Sequence, residues 1–199
     1  MSWQHFPEQH LPDILDSALA EFVAHGYDAT SVRTIAKRVG VTVPALYYHY
    51  ENKQAILTAL LTRAMDILEA HVYDAVADTP NVPNERFAVV VEAIVLYITN
   101  HRDLAFLDRE IRSLTPENHR QYADRRDRIE ALLTRSVLAG CETGQFHTSL
   151  PREASRAILS MCLGVATWYS ANGPLTPAEV AQRYVTIALD AVRYVDERA

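Results

Sequence analysis

The chain of 199 residues has two cysteines, Cys141 and Cys162, with no paired spacing. That excludes a disulfide framework and a cysteine zinc site, and it fits a reducing compartment. Its six glycines are too few for the many tight turns of an all-β domain. Positive charge is in deficit: 19 basic against 25 acidic side chains leave a net charge of −6. No basic stripe therefore runs along the whole chain. The longest apolar run, residues 87–98, is broken by Glu92 and falls short of the ~20 residues of a membrane span. The opening Met-Ser-Trp-Gln-His-Phe-Pro-Glu has neither a basic start nor an apolar stretch, so no secretory leader and a cytoplasmic location are expected. There is no Gly-x-Ser-x-Gly elbow, no phosphate-cradling glycine loop and no His-Glu-x-x-His helix, and the eight histidines are scattered. No catalytic residue, metal site or cofactor is expected.

What is present is apolar residues at helical spacing. They make up 49% of the chain, enough for a buried core. No strand alternation persists, so the fold class is all-α, with about nine helices. The first helix spans about residues 11–25, with Ile14, Leu15, Ala18, Leu19, Phe22 and Val23 on one face and Gly26 as its left-handed stop. Ser31 caps a short helix over 32–39, ended by Gly40. Thr42 caps another over 43–50, where Pro44 is tolerated in the first turn. Asn52 caps a longer helix from Lys53 to about Val76. Two short helices about a glycine, after a longer one, form a helix-turn-helix held by Ile35, Ala36 and Leu46. The outer face of the second short helix then presents Thr42, Val43, Ala45, Tyr47, Tyr48 and His49, side chains suited to a groove of phosphates and base edges. Charge is concentrated in the same place. Residues 29–63 carry +4 and the rest of the chain −10, so a polyanion is met by that segment.

Five further helices follow a Pro-containing loop at 78–84: about 84–100, apolar nearly all round and so central to a bundle; 101–114; from a Thr115 cap to about 141; 151–171; and 177–197. The last begins with the capping box Thr176-Pro177-Ala178-Glu179. The domain division expected is 8–68 for a three-helix helix-turn-helix domain and 69–199 for a helical bundle.

The run from Thr30 to Lys53, with its capped helix, glycine, capped helix, Leu-Tyr-Tyr-His and closing lysine, closely resembles the signature of TetR-family transcriptional regulators over about residues 11–66. The resemblance implies a bacterial repressor that binds a palindromic operator as a homodimer and is released by a small-molecule effector. It makes 43–50 the recognition helix in the major groove and the second domain the ligand-binding and dimerisation domain. By position, Thr42, Tyr47 and His49, with Tyr48 beside them, would meet phosphates, and Val43, Pro44 and Ala45 would approach base edges and thymine methyls. Lys53 would clamp a phosphate together with the positive end of its helix, and Arg33 would reach guanine or the backbone. The stretch 168–176 is similar to a segment in TetR regulators of lipid and steroid breakdown, some of which answer to coenzyme A thioesters.

Two further sets of residues are candidates. Tyr97, Phe106, Arg109, Glu110, Tyr122, Arg126, Trp168 and Tyr169 supply aromatic and polar groups for an effector pocket, or else ordinary packing and ion pairs. Arg109, Arg112, Arg125, Arg126 and Arg128 either receive an anionic ligand or balance Asp108, Glu110, Asp124 and Asp127. The last two helices carry more apolar surface than one bundle face needs. Ala157, Met161, Gly164, Val165 and Trp168, with Tyr184, Ile187, Ala188, Ala191 and Val195, are therefore the expected dimer interface.

Overall fold

A computed structural model describes residues 3–6 and 10–195. Its helices, in chain order, are α1 (Asp13–His25), α2 (Val32–Val39), α3 (Val43–His49), α4 (Lys53–Ala77), α5 (Pro83–Asn100), α6 (Arg102–Phe106), a 3₁₀ segment (Leu107–Ser113), α7 (Pro116–Glu142), α8 (Pro151–Trp168) and α9 (Pro177–Ala191). No strand occurs among the described residues. Contacts divide these residues into two compact units. One holds 10–66 together with 103–124; the other holds 3–6, 67–102 and 125–195.

In the first unit, α1 opens with Asp13 and Asp16 in its first turn, where the helix dipole favours negative charge, and buries Leu15, Ala18, Leu19 and Phe22. The Ser31 hydroxyl caps α2 by accepting from the Thr34 amide at 3.0 Å, and Thr42 caps α3 by accepting from Ala45 at 3.3 Å. Gly40 ends α2 at φ 82°, ψ 24°, the left-handed conformation that needs no Cβ. The Asn52 side chain accepts from the Ala55 amide at 2.8 Å to start α4. Leu46, Ile35 and Ala36 are all but fully buried where α2 and α3 pack.

The loop between α1 and α2 is tied to the start of α4. The Lys53 ammonium donates to the carbonyls of Tyr27 at 2.7 Å and Thr30 at 2.9 Å, with Asp28 at 3.5 Å, and lies 4.1 Å from the centre of the Tyr27 ring. Arg38 donates to the buried Glu21 carboxylate on α1 at 2.9 Å. Residues 103–124 dock on α4 through side-chain amides. Gln54 donates to Ser113 O at 3.0 Å and accepts from the Thr115 amide at 3.2 Å, while Asn118 donates to the Thr58 hydroxyl at 3.2 Å.

The expected single helix over 101–114 is in fact α6 followed by 3₁₀ turns. Leu104, Leu107 and Glu110 are buried at a spacing of three, the repeat that a 3₁₀ helix places on one face. The other boundaries move less: α8 stops at Trp168 rather than near 171, and α9 at Ala191. The expected end of α9 at 197 lies outside the described residues.

In the second unit α5 is the central helix, with eleven buried residues from Phe87 to Thr99, and it packs on α8 and α9. Phe146 folds back over Gly140, where a Cβ would penetrate its ring, and meets Phe87 edge-on at 5.2 Å. Thr176 and Glu179 form the expected capping box. The Thr176 amide and hydroxyl both donate to the Glu179 carboxylate and hold it below its ordinary pKa. Cys162 is fully buried and its thiol is pushed up to about 12 by desolvation, so it is unreactive at neutral pH.

Lys53→Met keeps the aliphatic stem but leaves the Tyr27 and Thr30 carbonyls without their charged donor. A destabilisation of about 1–3 kcal/mol is expected in chemical denaturation. An unchanged unfolding midpoint would show that the ammonium does not hold this loop.

Candidate nucleic-acid interface

A seven-residue helix has one side to bury, and α3 buries only Leu46. Every other residue of its expected reading face is therefore turned outward or to the edge. Tyr48 is 88% exposed and Tyr47 48%. Thr42, Pro44, Ala45 and His49 are exposed, and Val43 is half-buried at the leading turn. Tyr47 thus stands outside the core, and Tyr48 meets His49 edge-on at 5.3 Å. On α2, Arg33 is exposed and makes no hydrogen bond or ion pair among the described residues. It remains available as a long planar donor beside α3.

Lys53 departs from expectation. Its protons are directed at carbonyl oxygens of its own chain, where they hold the loop that precedes α2. Arg38 is likewise drawn back to Glu21. The exposed cations of the headpiece with no such partner are Arg33 and Lys37. The capping pattern made α3 visible in the sequence, but Lys53's carbonyl partners lie more than twenty residues away and left no local signal.

The expected effector residues are divided between the two units. Phe106, Arg109, Glu110 and Tyr122 belong to the unit that holds α1–α3, whereas Tyr97, Arg126, Trp168 and Tyr169 belong to the other. Several have other partners. Arg109 pairs with Glu110 at 3.6 Å and lies over the Phe106 ring at 4.6 Å. The Tyr122 hydroxyl donates to Asp108 at 3.0 Å. Arg125 makes a two-pronged pair with Glu69, at 3.2 and 2.7 Å. Tyr97 and Tyr169 are buried. Trp168 is half exposed, and its indole donates to the Tyr184 hydroxyl at 3.2 Å.

A cavity of about 220 Å³ does exist in the second unit, between the end of α4, the start of α5 and the last third of α7. It is lined by Val76, Asn81, Pro83, Arg86, Val90, Leu132, Arg135, Ser136 and Ala139, none of them among the expected pocket residues. Arg86 had a sequence signal: a cation in the first turn of an apolar helix, where the dipole favours an acid.

Of the expected dimer residues, Val165 and Ala188 are fully buried within their own chain, a correction to the sequence reading. Ala157, Met161, Gly164 and Trp168 on α8 and Tyr184, Ile187 and Ala191 on α9 lie outside the core at spacings of three and four, and Val195 is exposed beyond α9. Among the described residues no group of acids, histidines and cysteines is placed to hold a metal, and no helix is long and apolar enough to cross a membrane.

Residues 14–60 match the family described as bacterial regulatory proteins, tetR family, and residues 80–192 match the tetracyclin repressor-like C-terminal domain. The chain is 30% identical to the HTH-type transcriptional repressor KstR2 of Mycobacterium tuberculosis, over 90% of this chain and 91% of that one. A tetR-family regulatory protein from Rhodococcus RHA1 superposes with a TM-score of 0.86 at 32% identity, covering 92% of this chain and 97% of the other. The structure of AibR in complex with isovaleryl coenzyme A and operator DNA superposes with a TM-score of 0.79 at 26% identity, covering 87% and 95%. The two family models and the matches along nearly all of these proteins agree, and the chain belongs to the TetR family of bacterial transcriptional regulators, which are DNA-binding proteins rather than enzymes.

Proposed function

We propose that this regulator is a cytoplasmic repressor that binds a palindromic operator as a homodimer and is released by a small molecule. The observation that carries the reading is the outward set on α3, from Thr42 to His49, with Leu46 alone turned inward. In this reading residues 8–68 form the DNA-binding domain. Val43, Pro44 and Ala45 approach base edges; Thr42, Tyr47, Tyr48 and His49 contact phosphates; and Arg33 reads guanine or the backbone. Val43 and Ala45 offer no amide for adenine, so specificity rests on methyl contacts, Arg33 and duplex shape. Lys53 supports this face through the loop before α2.

Residues 69–199 supply dimerisation and effector binding in this reading. A coenzyme A thioester is the effector class suggested by AibR's bound isovaleryl coenzyme A and by the resemblance of residues 168–176. The 220 Å³ cavity is below the ~300–1,000 Å³ usual for drug-sized ligands. It would therefore enclose only part of such a molecule.

The test is a mobility-shift titration with duplex from the gene's own upstream region. A sequence-specific band at micromolar dimer that weakens with salt is expected. No such band would refute the reading. Tyr47→Phe removes one hydroxyl donor and should weaken binding to every duplex by about fivefold, or ~1 kcal/mol. Equal affinity for wild type and variant would remove Tyr47 from the contact set.

The α8–α9 stripe has its own test. Ile187 is 48% exposed, so Ile187→Glu should leave the protomer folded while placing a carboxylate in the proposed interface. The dimer constant should fall by at least roughly a hundredfold, about 3 kcal/mol, as read by sedimentation. A variant that remains dimeric at the wild-type concentration would place the interface elsewhere.

A further inference from the structure

We infer that the cavity of the second unit is a receptor site for a small oxyanion, a carboxylate or phosphate on a short apolar stem. The assignment rests on the reading above that the protein answers to a small molecule, and it names that ligand's chemistry.

Two of the nine lining residues are arginines, from α5 and α7, and none is acidic. In a chain of net charge −6 this is a local reversal of sign. Arg86 is steadied by two carbonyls of the preceding loop, its Nε donating to Pro80 O at 3.2 Å and its Nη2 to Thr79 O at 3.5 Å. Those bonds leave other donors of its guanidinium fork uncommitted. Arg135 has no hydrogen bond or ion pair among the described residues. A fixed guanidinium and a second one without a partner, at one concave site lacking a carboxylate, match the planar oxygens of a carboxylate or phosphate. The walls contributed by Val90, Leu132 and Ala139 are apolar and would take a short hydrocarbon.

Size narrows the ligand. A space of about 220 Å³ admits a short-chain carboxylate such as pentanoate. Neither the operator-reading face nor the α8–α9 stripe contributes a residue to this cavity.

The experiment uses the full chain in isothermal titration calorimetry with pentanoate, its neutral isostere pentanamide, and inorganic phosphate. Saturable binding of pentanoate at millimolar concentration is expected, with pentanamide silent. Arg135→Gln, at an exposed position, should weaken pentanoate binding by about tenfold. Ala139→Leu fills the cavity while keeping both arginines and should abolish binding. A response to phosphate alone would sustain the oxyanion site and assign phosphate as the ligand. No response to either anion, equal affinity for pentanamide, or full affinity in both variants would overturn the assignment. Mobility shift on the same preparations separates the two readings. Operator binding that responds to another small molecule but not to these anions removes this site alone, whereas operator binding that responds to none removes the effector reading as well.

Discussion

The reading face exists because Leu46 is buried. A helix of seven residues has no stability of its own in water, since nucleation consumes more than so few hydrogen bonds return. What holds α3 is one leucine with no exposed surface, set where α2 supplies Ile35 and Ala36. Burying that side chain is worth about 1.5–3 kcal/mol, and it also fixes rotation about the helix axis. Once Leu46 points inward, the 3.6-residue repeat sets Pro44 and Tyr48 on the opposite side and Ala45 and Tyr47 on the flanks, while Thr42 and His49 are exposed at the two ends of the helix. Gly40 does the complementary work at φ 82°, letting the chain reverse after a single turn beyond Ala36. The sequence can therefore vary its outward residues, and with them its operator, while the inward ones stay under one constraint.

Electrostatics is layered on this geometry. Of the cations that give residues 29–63 their positive balance, Arg38 neutralises a carboxylate buried on α1, and Lys53 closes the carbonyl ends of the loop before α2. These charges stabilise the headpiece and are not free to release counterions. The exposed cations without such a partner are Arg33 and Lys37, and in the proposed reading attraction for a duplex falls to them and gives one headpiece a shallow salt dependence. Pairing two headpieces becomes a requirement of affinity as well as of symmetry.

The sequence was most legible where a local chemical rule acts within four residues. Ser31, Thr42, Asn52 and the Thr176–Glu179 box mark helix starts that the structure places at the same positions, and the unbroken apolar character of residues 87–98 announced the central α5. Legibility failed where the deciding partner is distant. Lys53 looked like an exposed cation because Tyr27 and Thr30 are far along the chain. Arg125 stood among arginines that either receive an anion or balance nearby acids, and its partner Glu69 of α4 lies far along the chain. The helix expected over 101–114 failed for a subtler reason: apolar residues three apart satisfy α and 3₁₀ periodicity alike, and packing around Leu107 and Glu110 decides between them. Of the cavity arginines, Arg86 stood out in the first turn of α5, but Arg135 fell outside any motif, and the sequence separation of the two helices carries no pattern.

How far a small anion could move this regulator is a question of magnitude. Swinging a two-state protein from almost wholly one form to almost wholly the other requires about 5.5 kcal/mol of differential binding. A seven-atom ligand at an ordinary ~0.3 kcal/mol per atom supplies roughly 2 kcal/mol, and two sites in a dimer about twice that. An oxyanion alone therefore biases the equilibrium and does not throw it. A larger ligand that lodged such a group in the cavity and continued beyond it would cover the difference. Within the first unit, residues 103–124 are tied to the helix that follows the headpiece. Gln54 and Thr58 bind residues 103–124 directly to α4, and Glu110 of the same segment lies beside Gly26 at the end of α1. Displacing this segment would break the amide hydrogen bonds at Gln54 and Thr58 near the start of α4.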